Sequence, residues 1–88
     1  MSEVQVVKSE ALSRYELVAN GEVAGFADFK VAGEEVHLVH TEIDPRHAGK
    51  GYGSMLAAAV LEDIRAQGQR AVAECDFMAA YIRKRALG

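Results

Sequence analysis

Between residues 14 and 43 apolar and polar side chains alternate with a period of two, and turn residues interrupt the alternation twice. In the run from Arg14 to Ala19, Tyr15 and Leu17 share one face while Arg14, Glu16 and Val18 share the other. Asn20-Gly21 follows. This pair predicts a tight hairpin, because a type I′ turn needs positive φ at both central residues. A second run over residues 22–31 ends at Ala32-Gly33, and a third covers residues 35–43. Strict alternation puts Val36, Leu38 and His40 on one face of the third run, with His37, Val39 and Thr41 on the other. In the second run Gly25 breaks the pattern and marks a bulge or a close approach. Asp28 falls on the face of Ala24 and Phe26 and is expected to point outward. Residues 4–7 form a short apolar run, either a first strand or a loose terminus.

The period then changes. Pro45 stops the third strand, Gly49, Gly51 and Gly53 alternate, and a helical pattern starts at residue 51 or 52 and runs to Gln67, where Gly68 ends it. Tyr52, Met55, Leu56, Ala59, Val60 and Ile64 make its apolar stripe. Residues 71–73 read as one more strand, able to lie parallel to the third through a crossover. Asp76 is a candidate N-cap for a last helix bearing Phe77, Met78, Tyr81 and Ile82.

Composition narrows the classes. A chain of 88 residues is one domain at most, expected to span residues 1–88 with a thin core. Half of the residues are hydrophobic and the formal net charge is −3, so no overall basic field recommends nucleic acid or an anionic membrane as partner. The basic run Arg83-Lys84-Arg85 is what a helix end attracts through its dipole. Cys75 is the single cysteine, which excludes an internal disulfide and a cysteine-based metal site. No signal-peptide pattern or membrane-length apolar run is visible, so a cytoplasmic location is the default expectation.

A strand that feeds a glycine loop at the head of a helix can bind an anion, since the first-turn N–H groups lack partners inside the helix. Two familiar phosphate motifs fail. Gly49-Lys50 is followed by Gly51, where a P-loop requires Ser or Thr, and Ser54 stands where a dinucleotide fingerprint has its third glycine. What remains suits a diphosphate held without metal, with Arg46 and Lys50 nearby. The alternative is a loop that is only a tight connection.

The stretch Asp44-Pro45-Arg46-His47-Ala48-Gly49-Lys50-Gly51-Tyr52-Gly53-Ser54-Met55-Leu56 resembles the acetyl-CoA-binding motif of the GCN5-related N-acetyltransferases (GNATs). Arg14-Tyr15-Glu16-Leu17, His40-Thr41-Glu42, Cys75, Phe77 and Tyr81-Ile82-Arg83 extend the resemblance to the short single-domain members, from about residue 12 to residue 85. Two positions depart from those patterns: Ala48 replaces the usual Arg or Gln, and Asp76 follows the cysteine where proline is common. The resemblance implies an α/β (α+β) fold: a compact antiparallel or mixed sheet, one long helix after the glycine loop, and a short C-terminal helix.

It also implies acetyl-CoA as cofactor and an amine acceptor, which could be a protein lysine, an N-terminus or a polyamine, in a monomer or weak homodimer. Leu38, Val39, His40, Thr41 and Ile43 would line the pantetheine arm, and Arg46, Gly49, Lys50, Gly51, Tyr52, Gly53 and Ser54 the diphosphate. His40 is a candidate general base, or a strand histidine with a satisfied ring. Cys75 is a candidate acyl carrier, or a small hydrophobe lining the pocket. Tyr81 is a candidate proton donor to the leaving thiolate, or an anchor in the core. Glu42 is a further candidate base. The tight Asn20-Gly21 turn leaves no room for the two helices that larger members place between their first strands, so the acceptor side should be open or completed by a partner. The competing functions are a CoA-binding module without turnover and a small structural protein.

Overall fold

The computed structural model describes residues 3–87, so the first two residues and the last of the expected domain lie outside it. Five strands form one mixed sheet in the order β1-β2-β3-β4-β5: β1 Val4–Ser9, β2 Arg14–Ala19, β3 Glu22–Ala32, β4 Glu35–Ile43 and β5 Arg70–Ala73. The first four pair antiparallel, and β5 joins β4 in parallel after α1, Tyr52–Ala66. A short 3₁₀ turn, Pro45–His47, precedes α1, and α2, Asp76–Leu87, closes the described chain. This is an α+β fold. The apolar run at residues 4–7 is a full edge strand, Val4 to Ser9, in register with β2.

The hairpin forms as its turn residues require, with φ at +52° for Asn20 and +81° for Gly21. Helix α1 lies across one face of the sheet and contacts every strand. Its buried stripe is Tyr52, Leu56, Val60 and Ile64, with Ala57 beside it, and it packs on Leu17, Ala27 and Leu38 of the sheet. Met55, expected in that stripe, is exposed instead, because one face of the helix is enough to cover so small a sheet. The phenol of Tyr15, almost fully buried, donates a 2.7 Å hydrogen bond to Asp63 of α1 and ties helix to sheet. Burial and the adjacent carboxylate together push that phenol well above its ordinary range.

Two irregularities overturn the strict alternation. Between β2 and β3, Leu17 pairs with Gly25 and Val18 with Val23, which leaves Ala24 as an extra residue. Ala24 therefore turns into the core, away from Phe26 and Asp28. Between β3 and β4, Phe29 pairs with Leu38 and Asp28 with His40, so Val39 is the extra residue. Beyond it the faces exchange. Thr41 and Ile43 join Leu38 on the covered face, opposite Ala27 and Gly25, while His40 and Glu42 stand on the open face opposite Asp28 and Phe26. The shared face predicted for Val36, Leu38 and His40 is thus corrected. Asp28 does point outward, where it accepts a 3.0 Å bond from Arg14, whose guanidinium also lies over the Phe26 ring.

Candidate functional site

The end of β4 enters the loop under firm control. The Asp44 N–H donates to Ala24 O at 2.8 Å, and the Asp44 carboxylate accepts from the Arg46 backbone N–H at 2.9 Å and from Arg46 Nη2 at 2.9 Å. Those bonds hold the carboxyl at about 2, well below its usual range, and raise the guanidinium in turn. Glu22, at the start of β3, reaches both Arg46 (3.5 Å) and His47 (3.3 Å) and fastens the turn to the hairpin. Arg46, expected beside the diphosphate, stays exposed at the loop while its guanidinium bonds Asp44 and reaches Glu22. His47 packs its ring 5.7 Å from that of Tyr52, and its Nδ1 is buried without a partner among the described residues.

Gly49 and Gly51 then take φ of +81° and +76°, a region where a side chain would be strained. Gly51 occupies the N-cap of α1 with no side-chain cap, and the first helical bond runs from Met55 N to Gly51 O at 3.1 Å. Among the described residues no acceptor meets the N–H groups of Gly49, Lys50, Gly51, Tyr52, Gly53 or Ser54. The first turn of α1 carries no acidic side chain, and Lys50 is exposed beside Tyr52. Unpaired N–H groups at the positive end of a fifteen-residue helix, with a lysine and no carboxylate among them, have the chemistry to accept an anion.

Beside the loop the sheet opens. The pairing of β4 with β5 stops at Leu38 and Ala73. Leu38 O accepts from both Glu74 N (2.9 Å) and Cys75 N (3.1 Å), and the chain turns away into α2. Asp76 is the first residue of α2 rather than its cap; the first bond of the helix, from Ala79 N, falls on Cys75 O. Among the described residues, β4 has no strand on its β5 side from Val39 onward. The slot so formed has two different walls. On the covered face Thr41 Oγ1 and Cys75 Sγ lie 3.3 Å apart. On the open face His40 Nε2 lies 3.2 Å from Glu42 Oε2, with its ring 5.8 Å from Phe26, and His37 Nδ1 lies 2.5 Å from Glu74 Oε2.

The expected catalytic residues are therefore not one cluster. Thr41 and Cys75 meet, His40 stands across the strand from them, and Tyr81 lies further along α2, where its hydroxyl accepts from Arg85 Nη1 at 3.1 Å. Tyr81 lines a cavity of about 590 Å³ with Ser54, Phe77, Ala80 and the basic residues that follow. Phe77 is a wall that the pattern did not reveal: it rests on Gly53, where an added Cβ would come within 2.8 Å of its ring. A glycine in a helical first turn, followed much later by an aromatic, is the only trace this contact leaves in the sequence. A second cavity of about 390 Å³ on the open face is lined by Phe26, Glu42 and Asp44, among others.

Residues 14–86 match the family described as GCN5-related N-acetyl-transferase. The chain belongs to that family. Its members use acetyl-CoA as acyl donor, and acyl transfer is the general chemistry of the family. No curated protein matches the chain. Among solved structures, a GCN5-like protein from Staphylococcus aureus is 22% identical with a TM-score of 0.72, over 97% of this chain and 83% of that one. The ribosomal-protein-S18-alanine N-acetyltransferase of Escherichia coli is 17% identical with a TM-score of 0.72, over 100% of this chain and 77% of that one. N-acetylglutamate synthase of Neisseria gonorrhoeae, solved with coenzyme A and N-acetyl-glutamate, is 19% identical with a TM-score of 0.67, over 93% of this chain and 22% of that one. At these identities the likeness concerns the fold. Among the described residues no group of three His, Cys, Asp or Glu side chains could hold a metal ion, and no helix is long and apolar enough to cross a membrane.

Proposed function

We propose that this GNAT protein transfers an acetyl group from acetyl-CoA to an amine. The observation that carries the reading is the row of unpaired N–H groups from Gly49 to Ser54, set beside the slot where β4 loses its partner. The donor set fits a diphosphate, since it offers main-chain amides and Lys50 and presents no carboxylate in the first turn of α1. Just past Leu38, the last residue paired with β5, Val39, His40, Thr41 and Ile43 would supply the free strand edge for the pantetheine arm. Acetyl-CoA, when bound, supplies a thioester carbonyl open to attack.

The protein's own groups have to orient that carbonyl and take a proton from the attacking amine. His40, on the open face and hydrogen-bonded to Glu42, would act as base toward an acceptor arriving from that side. Cys75 and Thr41 face the slot from the covered side, where a thiol can line the site or accept the acyl group. Tyr81 is the proton donor available from α2. The open-face cavity, lined by Arg14 and Phe26 with Glu42 and Asp44, is the side from which an acceptor such as a lysine, an N-terminus or a polyamine would approach.

One observation supports a second reading, a module that holds CoA without turnover: His40, Cys75 and Tyr81 do not converge. Titrating isotope-labelled protein with acetyl-CoA separates both from a purely structural role. Amide shifts confined to Gly49–Ser54 and the free edge of β4 support CoA binding, and their absence refutes it. Multiple-turnover acetylation of an amine that His40→Ala abolishes, with acetyl-CoA affinity kept, supports the transferase; no turnover on any amine tested leaves the binding module.

A further inference from the structure

The run Arg83-Lys84-Arg85 has a use beyond the helix dipole. All three side chains line the 590 Å³ cavity, whose remaining walls include Ser54 of the α1 first turn and the rings of Phe77 and Tyr81. No carboxylate stands at helical spacing from Arg83 or Lys84, since residues 79, 80, 81, 86, 87 and 88 are Ala, Ala, Tyr, Ala, Leu and Gly. Among the described residues neither side chain is ion-paired, whereas Arg85 donates to the Tyr81 hydroxyl. In a chain of net charge −3, these cations line one cavity with two aromatic rings and with Ser54, whose N–H is unpaired. A helix end answering only its own dipole has no need of a concave site or of Phe77, left 38% exposed there.

The cavity brings three chemistries to one lining: the first-turn amide end at Ser54, an aromatic surface for a planar base at Phe77 and Tyr81, and two cations for a dianion at Arg83 and Lys84. A phosphate monoester carries close to two negative charges at neutral pH and is the dianion such a pair takes best. We propose that Arg83 and Lys84 form a phosphate-monoester subsite that reads the 3′-phosphate of the nucleotide end of CoA. This rests on the CoA reading above and adds a specificity to it: the protein distinguishes CoA from 3′-dephospho-CoA.

Calorimetric titration of the intact protein with each of the two compounds tests this. The wild type is expected to bind CoA about tenfold more tightly, the scale of one charge-assisted contact, and rising salt should narrow the gap. In the Arg83→Ala/Lys84→Ala variant the preference should fall to within about twofold while affinity for 3′-dephospho-CoA holds. Both side chains are exposed, so an unchanged melting temperature confirms that the variant is folded. Equal binding of the two compounds by the wild type, or a preference that survives in the variant, overturns the subsite and leaves the CoA reading standing. Failure of the wild type to bind either compound overturns both.

Discussion

Gly25 is where the geometry of the site meets the stability of the fold. It sits beside the extra residue of β3 and opposite Ile43, whose next neighbour, Asp44, opens the loop. A Cβ built at Gly25 would come within 2.4 Å of Ile43 Cδ1 and 2.9 Å of Glu42 O. The first contact can be relieved by rotating a side chain, but the second involves backbone and needs the β3–β4 ladder to shift. Overpacking of this kind costs about 1–3 kcal/mol, and the gain from replacing a strand glycine offsets roughly 0.5–1 of it. Gly25→Ala should therefore destabilise by about 1–2 kcal/mol, which for a domain of this size lowers the melting temperature by about 5–15 °C. Ile43→Val deletes the nearer atom and alone costs about 0.5–1.5 kcal/mol. In the Gly25→Ala background it should cost less, and the difference measures the coupling. Urea unfolding of the four proteins gives these numbers. A Gly25→Ala protein as stable as the parent, or an Ile43→Val cost identical in both backgrounds, would refute the close-packing argument.

Three other perturbations test neighbouring parts of the structure. Tyr15→Phe leaves Asp63 without its 2.7 Å donor and should cost about 1.5 kcal/mol by urea unfolding; a neutral result would show that the bond adds nothing. Because that phenol is raised in the folded state, its contribution is complete below about pH 10 and is lost as pH rises further, a decline that Tyr15→Phe should flatten. The Asp44 carboxyl is lowered, so its contribution is present above the ordinary value of 3.8 and disappears as pH falls toward about 2. Carbon-detected NMR should find Asp44 titrating near that value and moving back up in Arg46→Ala; titration at the ordinary value in the parent sinks the assignment. Gly53→Ala pushes a methyl into the Phe77 ring, offsetting a helix-propensity gain of about 1 kcal/mol, so it should stabilise only when combined with Phe77→Ala. Equal effects in both backgrounds would mean that the two residues do not touch.

Much of the fold was legible because local chemistry and global packing agree. Asn20-Gly21 can hardly be anything but a hairpin turn, and Pro45 with the alternating glycines separates strand from helix without help from tertiary contacts. The loop was legible for the same reason, since unpaired amides follow from where a helix begins. The slot was harder. A bulge leaves no mark when the extra residue is apolar, and Val39 suits either face of a strand. Counting by twos through it put His40 with Leu38 and Thr41 with His37, the reverse of the register found. The contact of Phe77 with Gly53, and the cavity that the basic run lines, were not legible because they depend on α2 lying beside the first turn of α1, a packing relation that neither helix encodes alone.

The misplaced parity also changes the chemistry. Without the extra residue, His40 would share the covered side with Cys75, under α1 and α2, and the open face at this point of β4 would present Thr41. With it, the imidazole and Glu42 stand on the face that no helix covers, and the thiol stays on the side of the glycine loop. An amine and an acyl donor cannot enter one narrow slot from the same side without excluding each other. Under the proposed function, the bulge at Val39 would give each its own wall, next to the point where β5 departs. A strand that changes face where its neighbour leaves would then let so short a chain offer two approaches to one site.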